Sequence, residues 1–203
     1  MDREFFLNKR FMQYAMALAG LLIGGGAFAA DTFSPVVTGA VSYSGDEWQV
    51  ATTSAGRPVT FLGGGRFKVG GGVLWQSSQY PVQASALVNY HYDPQAGGSG
   101  SGSAKFSRIP LEAMVYYTGL ETVRFGVGVS YVLAPKVTAS VDGAEQSIRF
   151  KNAPGRSFEI GYALTPRLWT NLRLSSEKYK AKVAGTAQDA DVSSLSVNFS
   201  YLF

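Results

Sequence analysis

The sequence predicts an all-β protein, an eight-stranded antiparallel up-and-down transmembrane β-barrel. Three observations carry this. Apolar and polar residues alternate with a period of two through eight segments. Long and short connections between those segments also alternate. The polar face of each segment is built mainly of Gly, Ala, Ser and Asn, not the Lys, Glu and Thr of a solvated surface. Composition agrees, since 24 Gly, 13 Phe, 11 Tyr and no Cys in 203 residues suit one domain of strands and turns. The mean hydropathy of +0.03 decides nothing. Half of a barrel's strand residues face a polar lumen, so a membrane barrel and a soluble protein share that value.

The N-terminus has the layout of a secretory signal. Arg3, Lys9 and Arg10 supply the positive region, Phe11 to Ile23 the apolar region, and Ala27-Phe28-Ala29 a small-x-small cleavage site. A retained membrane helix fits less well, because the apolar run is short and broken by Gly24 to Gly26. The expected organisation is a cleaved signal peptide over 1–29 and an outer-membrane barrel over 30–203. Without Cys there is no lipid attachment and no disulfide, so the exported chain must be held by its own fold.

The elements follow in order. Strand one, about Val36 to Ser44, sets Val37, Val41 and Tyr43 against Thr38, Ala40 and Ser42, and a long connection, Gly45 to Gly65, follows it. Strand two, about Arg66 to Gln76, sets Phe67, Val69, Val73 and Trp75 against Lys68, Gly70, Gly72 and Leu74. A short turn through Pro81 leads to strand three, with Val82, Ala84, Ala86, Val88, Tyr90 and Tyr92 opposite Gln83, Ser85, Leu87, Asn89 and His91. Asp93 to Ala104 contains Gly-Gly-Ser-Gly-Ser-Gly-Ser, which reads as a mobile loop. No Gly-Lys-Ser/Thr and no helix follow it, so it is no phosphate-binding loop.

Strand four, about Ser107 to Tyr117, carries Pro110, which lacks a ladder donor and therefore predicts a bulge or a fraying end. After the tight turn Thr118 to Glu121, strand five runs from Val123 to Leu133, and Ala134 to Arg156 is again a long connection. Strand six, Phe158 to Leu164, turns through Thr165-Pro166-Arg167 into strand seven, Leu168 to Ser175, which continues through Glu177 to Val183. A polar loop, Ala184 to Ala190, precedes the closing strand Asp191 to Phe203, where Leu195, Val197, Phe199, Tyr201 and Phe203 share one face. An even number of strands puts both chain ends and the short turns on the periplasmic side.

Alternation alone allows the apolar face to point inward, as in a soluble calycin-like barrel. The small-residue polar face favours the opposite arrangement. An eight-stranded barrel is only wide enough for side chains to fill, and small residues there leave room for a few large ones. Tyr43, Trp75, Tyr90, Tyr92, Tyr117, Tyr131, Tyr162 and Tyr201 fall near strand ends, as interfacial girdles require.

The signal sequence, the tight turns, the runs Ser107-Arg108-Ile109-Pro110-Leu111-Glu112 and Phe158-Glu159-Ile160-Gly161-Tyr162-Ala163-Leu164-Thr165-Pro166, and the aromatic terminus resemble the small outer-membrane β-barrels of the OmpX/OmpA type. The resemblance spans the mature chain and implies an outer-membrane location. It also implies that the aromatic terminus, Tyr201 and Phe203, is the signal read by the barrel-assembly machinery. It says little about function, because these families share a scaffold and differ in their loops.

Inward charges are the candidate site. A three-residue turn centred on Pro166 sets Glu159 opposite Arg173, and Glu112 and Arg124 fall within one or two pleats of each other. Buried charges require partners, so these four predict a network of ion pairs that plugs the lumen. Lys178, Lys180 and Lys182 share a face with Leu172 and Leu174 just beyond the apolar band, where the outer leaflet presents lipopolysaccharide phosphates.

His91 is the only histidine. Outer-membrane deacylases place Ser two residues after their His, whereas this chain has Asp93, so no catalytic residue is assigned and His91 is read as a polar residue at the outer strand end. No metal-ligand spacing and no aromatic-basic patch for nucleic acid are present, and no cofactor is expected. The expected protein is a non-enzymatic monomer in contact with outer-membrane lipid and lipopolysaccharide, with a structural or surface-interaction role. The alternative is a narrow porin-like channel or a lateral path for small hydrophobic molecules.

Overall fold

The computed structural model describes residues 31–44, 47–52, 54, 56, 58–62, 66–96, 102–141, 144–180 and 189–203. The expected signal peptide therefore lies outside the described residues. Among the described residues there are eleven strands: β1 (Thr32–Ser44), β2 (Glu47–Thr52), β3 (Pro58–Leu62), β4 (Phe67–Gln76), β5 (Val82–Ala96), β6 (Gly102–Tyr117), β7 (Val123–Val141), β8 (Ala144–Arg149), β9 (Ala153–Ala163), β10 (Leu168–Lys180) and β11 (Asp189–Leu202).

Eight of them close a ring. Neighbours run β6-β5-β4-β1-β11-β10-β9-β7, every pair antiparallel, and β7 returns to β6. No edge remains along the ring, as a sheet crossing hydrocarbon requires. β8 is the outer part of the same wall strand as β9. Both pair with β7 in one register, Lys136↔Arg149 and Val132↔Ala153, and the interruption at 150–152 faces Ala134 and Pro135. Ala134 has a φ of 48°, a left-handed conformation that an L side chain adopts at a cost. Its N–H donates to Asn152 Oδ1 at 3.2 Å, and Phe150 N–H donates to Pro135 O at 2.9 Å, so the ladder resumes beyond the break.

Strand lengths correct the expectation at the outer end. The anticipated loop Asp93 to Ala104 is mostly ladder, since β5 continues to Ala96, β6 starts at Gly102, and Ala96 pairs with Ser103. The central residues of the expected mobile loop, 97–101, lie outside the described residues. The long connection Gly45 to Gly65 holds the β2–β3 hairpin, which rests on β6 and β7. The connection Ala134 to Arg156 is largely the outer half of β7 with β8. Glycine and serine weaken the side-chain signal of a strand without preventing its backbone from pairing. The ladder shifts between Ser107 and Ile109, beside Pro110, as the missing N–H predicts.

The apolar face points out. Val69, Val127, Val129 and Leu174 are each more than half exposed, whereas Asn89, Glu159 and Asn171 on the other face are at most 2 % exposed. A soluble barrel would reverse these values. A continuous exposed belt of Val, Leu, Phe and Tyr is stable only against lipid.

Candidate functional site

The lumen is filled in layers. At the end that carries the chain termini, Leu74, Met114 and Tyr116 pack together, with Leu202 against them. At the opposite end Ala104, Phe106, Val132, Val137, Phe150, Ala153, Tyr179 and Val192 form a second apolar cluster. Charged groups occupy the space between.

The hairpin turn sets Arg173 opposite Glu159, and Arg173 Nε donates to Glu159 Oε2 at 2.6 Å. The guanidinium also reaches across the lumen, where Nη1 donates to Glu112 Oε2 at 2.6 Å. Lys68 Nζ lies 3.7 Å from Glu112 Oε1, and Arg124 Nη2 lies 3.7 Å from Glu159 Oε1. The result is one alternating chain, Lys68–Glu112–Arg173–Glu159–Arg124, drawn from five strands. A planar guanidinium with two usable edges suits Arg173 to its position between two carboxylates.

The expected proximity of Glu112 and Arg124 is corrected. The turn between β6 and β7 is longer than the tight turn expected, so Tyr117 pairs with Phe125 and Glu112 with Ser130. Arg124 is then three pleats from Glu112. It instead donates to Asn171 Oδ1 at 2.9 and 3.2 Å and to Gln83 Oε1 at 3.2 Å, with its guanidinium over the rings of Tyr116 and Trp169.

A second cluster was not anticipated. Arg108 donates to Glu177 and to Tyr179, and Tyr179 donates to Glu177. His91 belongs to this cluster, with Nδ1 at 3.1 and 3.3 Å from the Arg108 guanidinium. Its expected place at the outer end of a strand is therefore corrected, because β5 runs on to Ala96 and His91 sits buried in the lumen wall. Alternation already put Lys68 on the polar face, and Glu177 shares the parity of Arg173 on β10.

Room for these side chains comes from glycine. A Cβ on Gly161 would overlap Asn171 Oδ1 and approach Arg124 to 2.9 Å, and one on Gly128 would overlap Met114. One small cavity, among Val36, Leu74, Tyr116, Arg124 and their neighbours, measures ≈ 10 Å³, about the least that admits one water.

On the outer wall, Lys178 and Lys180 are exposed, and Lys182 lies outside the described residues. The register sets Asp191 across from Lys178 and Asp189 across from Lys180. At the closing strand, Phe203 N–H donates to Pro35 O at 3.1 Å, and the Tyr201 and Phe203 rings meet edge to face at 5.1 Å. Among the described residues no cluster of His, Asp and Glu could hold a metal ion.

No family model matches the sequence, and no curated protein matches it. Solved structures do match the fold. The Neisserial surface protein A structure superposes with a TM-score of 0.55 at 12 % identity, covering 86 % of this chain and 100 % of that one. Ail, the attachment invasion locus protein of Yersinia pestis, superposes with a TM-score of 0.53 at 11 % identity, covering 87 % and 100 %. At such identities the likeness is one of fold. The chain has the architecture of a small eight-stranded outer-membrane β-barrel.

Proposed function

We propose that this outer-membrane barrel is closed by its own side chains and serves a structural or surface-interaction role, with no enzymatic step. The supporting observation is the ionic chain from Lys68 to Arg124, which crosses the lumen between two apolar layers. A hydrated solute needs a continuous path, and a buried network of paired charges resists opening one. In this reading the ends of β5 to β8 and the β2–β3 hairpin form the part presented outward. Tyr201 and Phe203 serve as the assembly signal, the barrel acts as a monomer, and the lysine row meets lipopolysaccharide. Proteoliposomes of refolded protein are expected to swell in an isosmotic small sugar no faster than empty liposomes. Swelling that scales with protein content would overturn the closed reading.

One observation favours the second reading, a gated narrow channel. Arg173 already holds two carboxylates, each shared with another cation, so partners could exchange without any charge being left bare. The predicted signature is steady single-channel conductance in the unaltered protein that changes when Glu159 or Arg173 is replaced by Ala.

A further inference from the structure

The outer face of β9, β10 and β11 can be read as rows from the register. Tyr43, Leu195, Leu174 and Phe158 lie side by side across β1, β11, β10 and β9. One pleat further from the chain termini the row is Ser193, Ser176 and Arg156. Serine in place of a bulky side chain leaves a recess of ≈ 530 Å³, lined by both rows and by Ser157, Ser175 and Ser194. Below it the wall is apolar, with Val197, Leu172 and Ile160 in line. Above it stand Lys178 and Lys180. The recess thus straddles the border where the apolar belt ends, with a greasy floor and a mouth of two hydroxyls and a guanidinium.

We propose that this recess seats one phosphorylated, acylated lipid of the outer leaflet, namely lipopolysaccharide, with a phosphate on Arg156, Ser176 and Ser193 and an acyl chain along Phe158, Leu174 and Leu195. Charge complementarity selects this occupant. Arg156 is flanked in the register by Ser176 and Val129, with no acid directly across from it, whereas Lys178 and Lys180 have Asp191 and Asp189 opposite. Strands lie about 5 Å apart, so one phosphate at the mouth meets the Arg156 fork and the Ser176 hydroxyl together. A guanidinium grips two phosphate oxygens at once, while an ammonium offers a point charge. The seat therefore centres on Arg156, with the lysine row at its margin.

The inference rests on the barrel spanning the outer membrane, so each variant is first shown to reside there by fractionation and to migrate as a heat-modifiable band. The refolded barrel is then incubated in detergent with lipopolysaccharide or with the same lipid dephosphorylated, and retained lipid is counted by native mass spectrometry. Arg156→Gln is expected to weaken retention about tenfold, the loss of one charge-assisted contact. Ser176→Leu, which fills the recess with a side chain that lipid tolerates, is expected to reduce it similarly, and the dephosphorylated lipid should bind the unaltered barrel as weakly as the phosphorylated lipid binds Arg156→Gln. A Lys178→Gln/Lys180→Gln variant should change retention less than about twofold. Retention unchanged in both Arg156→Gln and Ser176→Leu overturns the seat, as does loss confined to the lysine variant. A chain absent from the outer membrane overturns instead the membrane-spanning reading beneath it.

Discussion

Arg173 makes the two shortest pairs of the lumen ion chain, since two carboxylates depend on it at 2.6 Å each. Removing one member of a buried pair leaves the other uncompensated, typically at about 3–5 kcal/mol. Arg173→Ala is therefore expected to lower the unfolding free energy in detergent by that amount, read from urea titration of tryptophan fluorescence. A loss below about 1 kcal/mol would mean that Glu112 and Glu159 are satisfied without it. Gly161 tests packing separately from charge. Gly161→Val pushes into Asn171 and Arg124, and overpacking of this kind costs about 1–3 kcal/mol.

At the other end of the size scale of interactions stands Asp31, exposed beside the first strand. Its carboxylate accepts from Ser78 N–H at 3.0 Å, Ser78 Oγ at 3.1 Å and Trp75 Nε1 at 3.2 Å. The Ser78 backbone N–H, more than any other contact, holds its pKa below the ordinary 3.8. A depressed carboxyl pKa stabilises the folded form above the unfolded value, and that contribution is lost as pH falls through the folded value. The Trp75 indole N–H resonance should accordingly shift with a midpoint below 3.8. A midpoint at or above the ordinary carboxylate value would contradict the clasp.

Among the elements, β11 closes the seam between β1 on one side and β10 on the other. Leu202 N–H and Phe203 N–H also donate to Arg167 O and Pro35 O. Deleting residues 201–203 removes the pairing at the terminal end of both seams, and is expected to abolish the compact, heat-modifiable band on a gel. Persistence of that band would show that closure does not depend on the last turn of ladder. Strand existence was readable in the sequence because inward and outward residues alternate, a local property. Strand length was not, because Gly and Ser at the outer ends of β5 and β6 pair through backbone that leaves no periodic mark. The hairpin β2–β3 was missed for another reason. Its Trp48, Val59 and Phe61 are good strand residues, but they sit in segments of only five and six residues among Gly and Thr.

For the whole molecule, the candidate site divides along the same line. Glu159 and Arg173 could be paired in advance because a short turn fixes the register of adjacent strands. Glu112 with Arg173, and Arg108 with Glu177, join strands that touch only because the sheet curls on itself. Such contacts depend on closure, tilt and lumen width together, and no spacing in the chain encodes them. The Glu112–Arg124 expectation failed on one loop length. The same closure turns scattered polar residues into a plug, and that plug is the central claim. Refolded protein in a planar lipid bilayer measures it most directly. The account predicts no steady single-channel steps from the unaltered chain and the appearance of steps in Arg173→Ala. Steady steps from the unaltered chain, altered by Arg173→Ala or not, would contradict it.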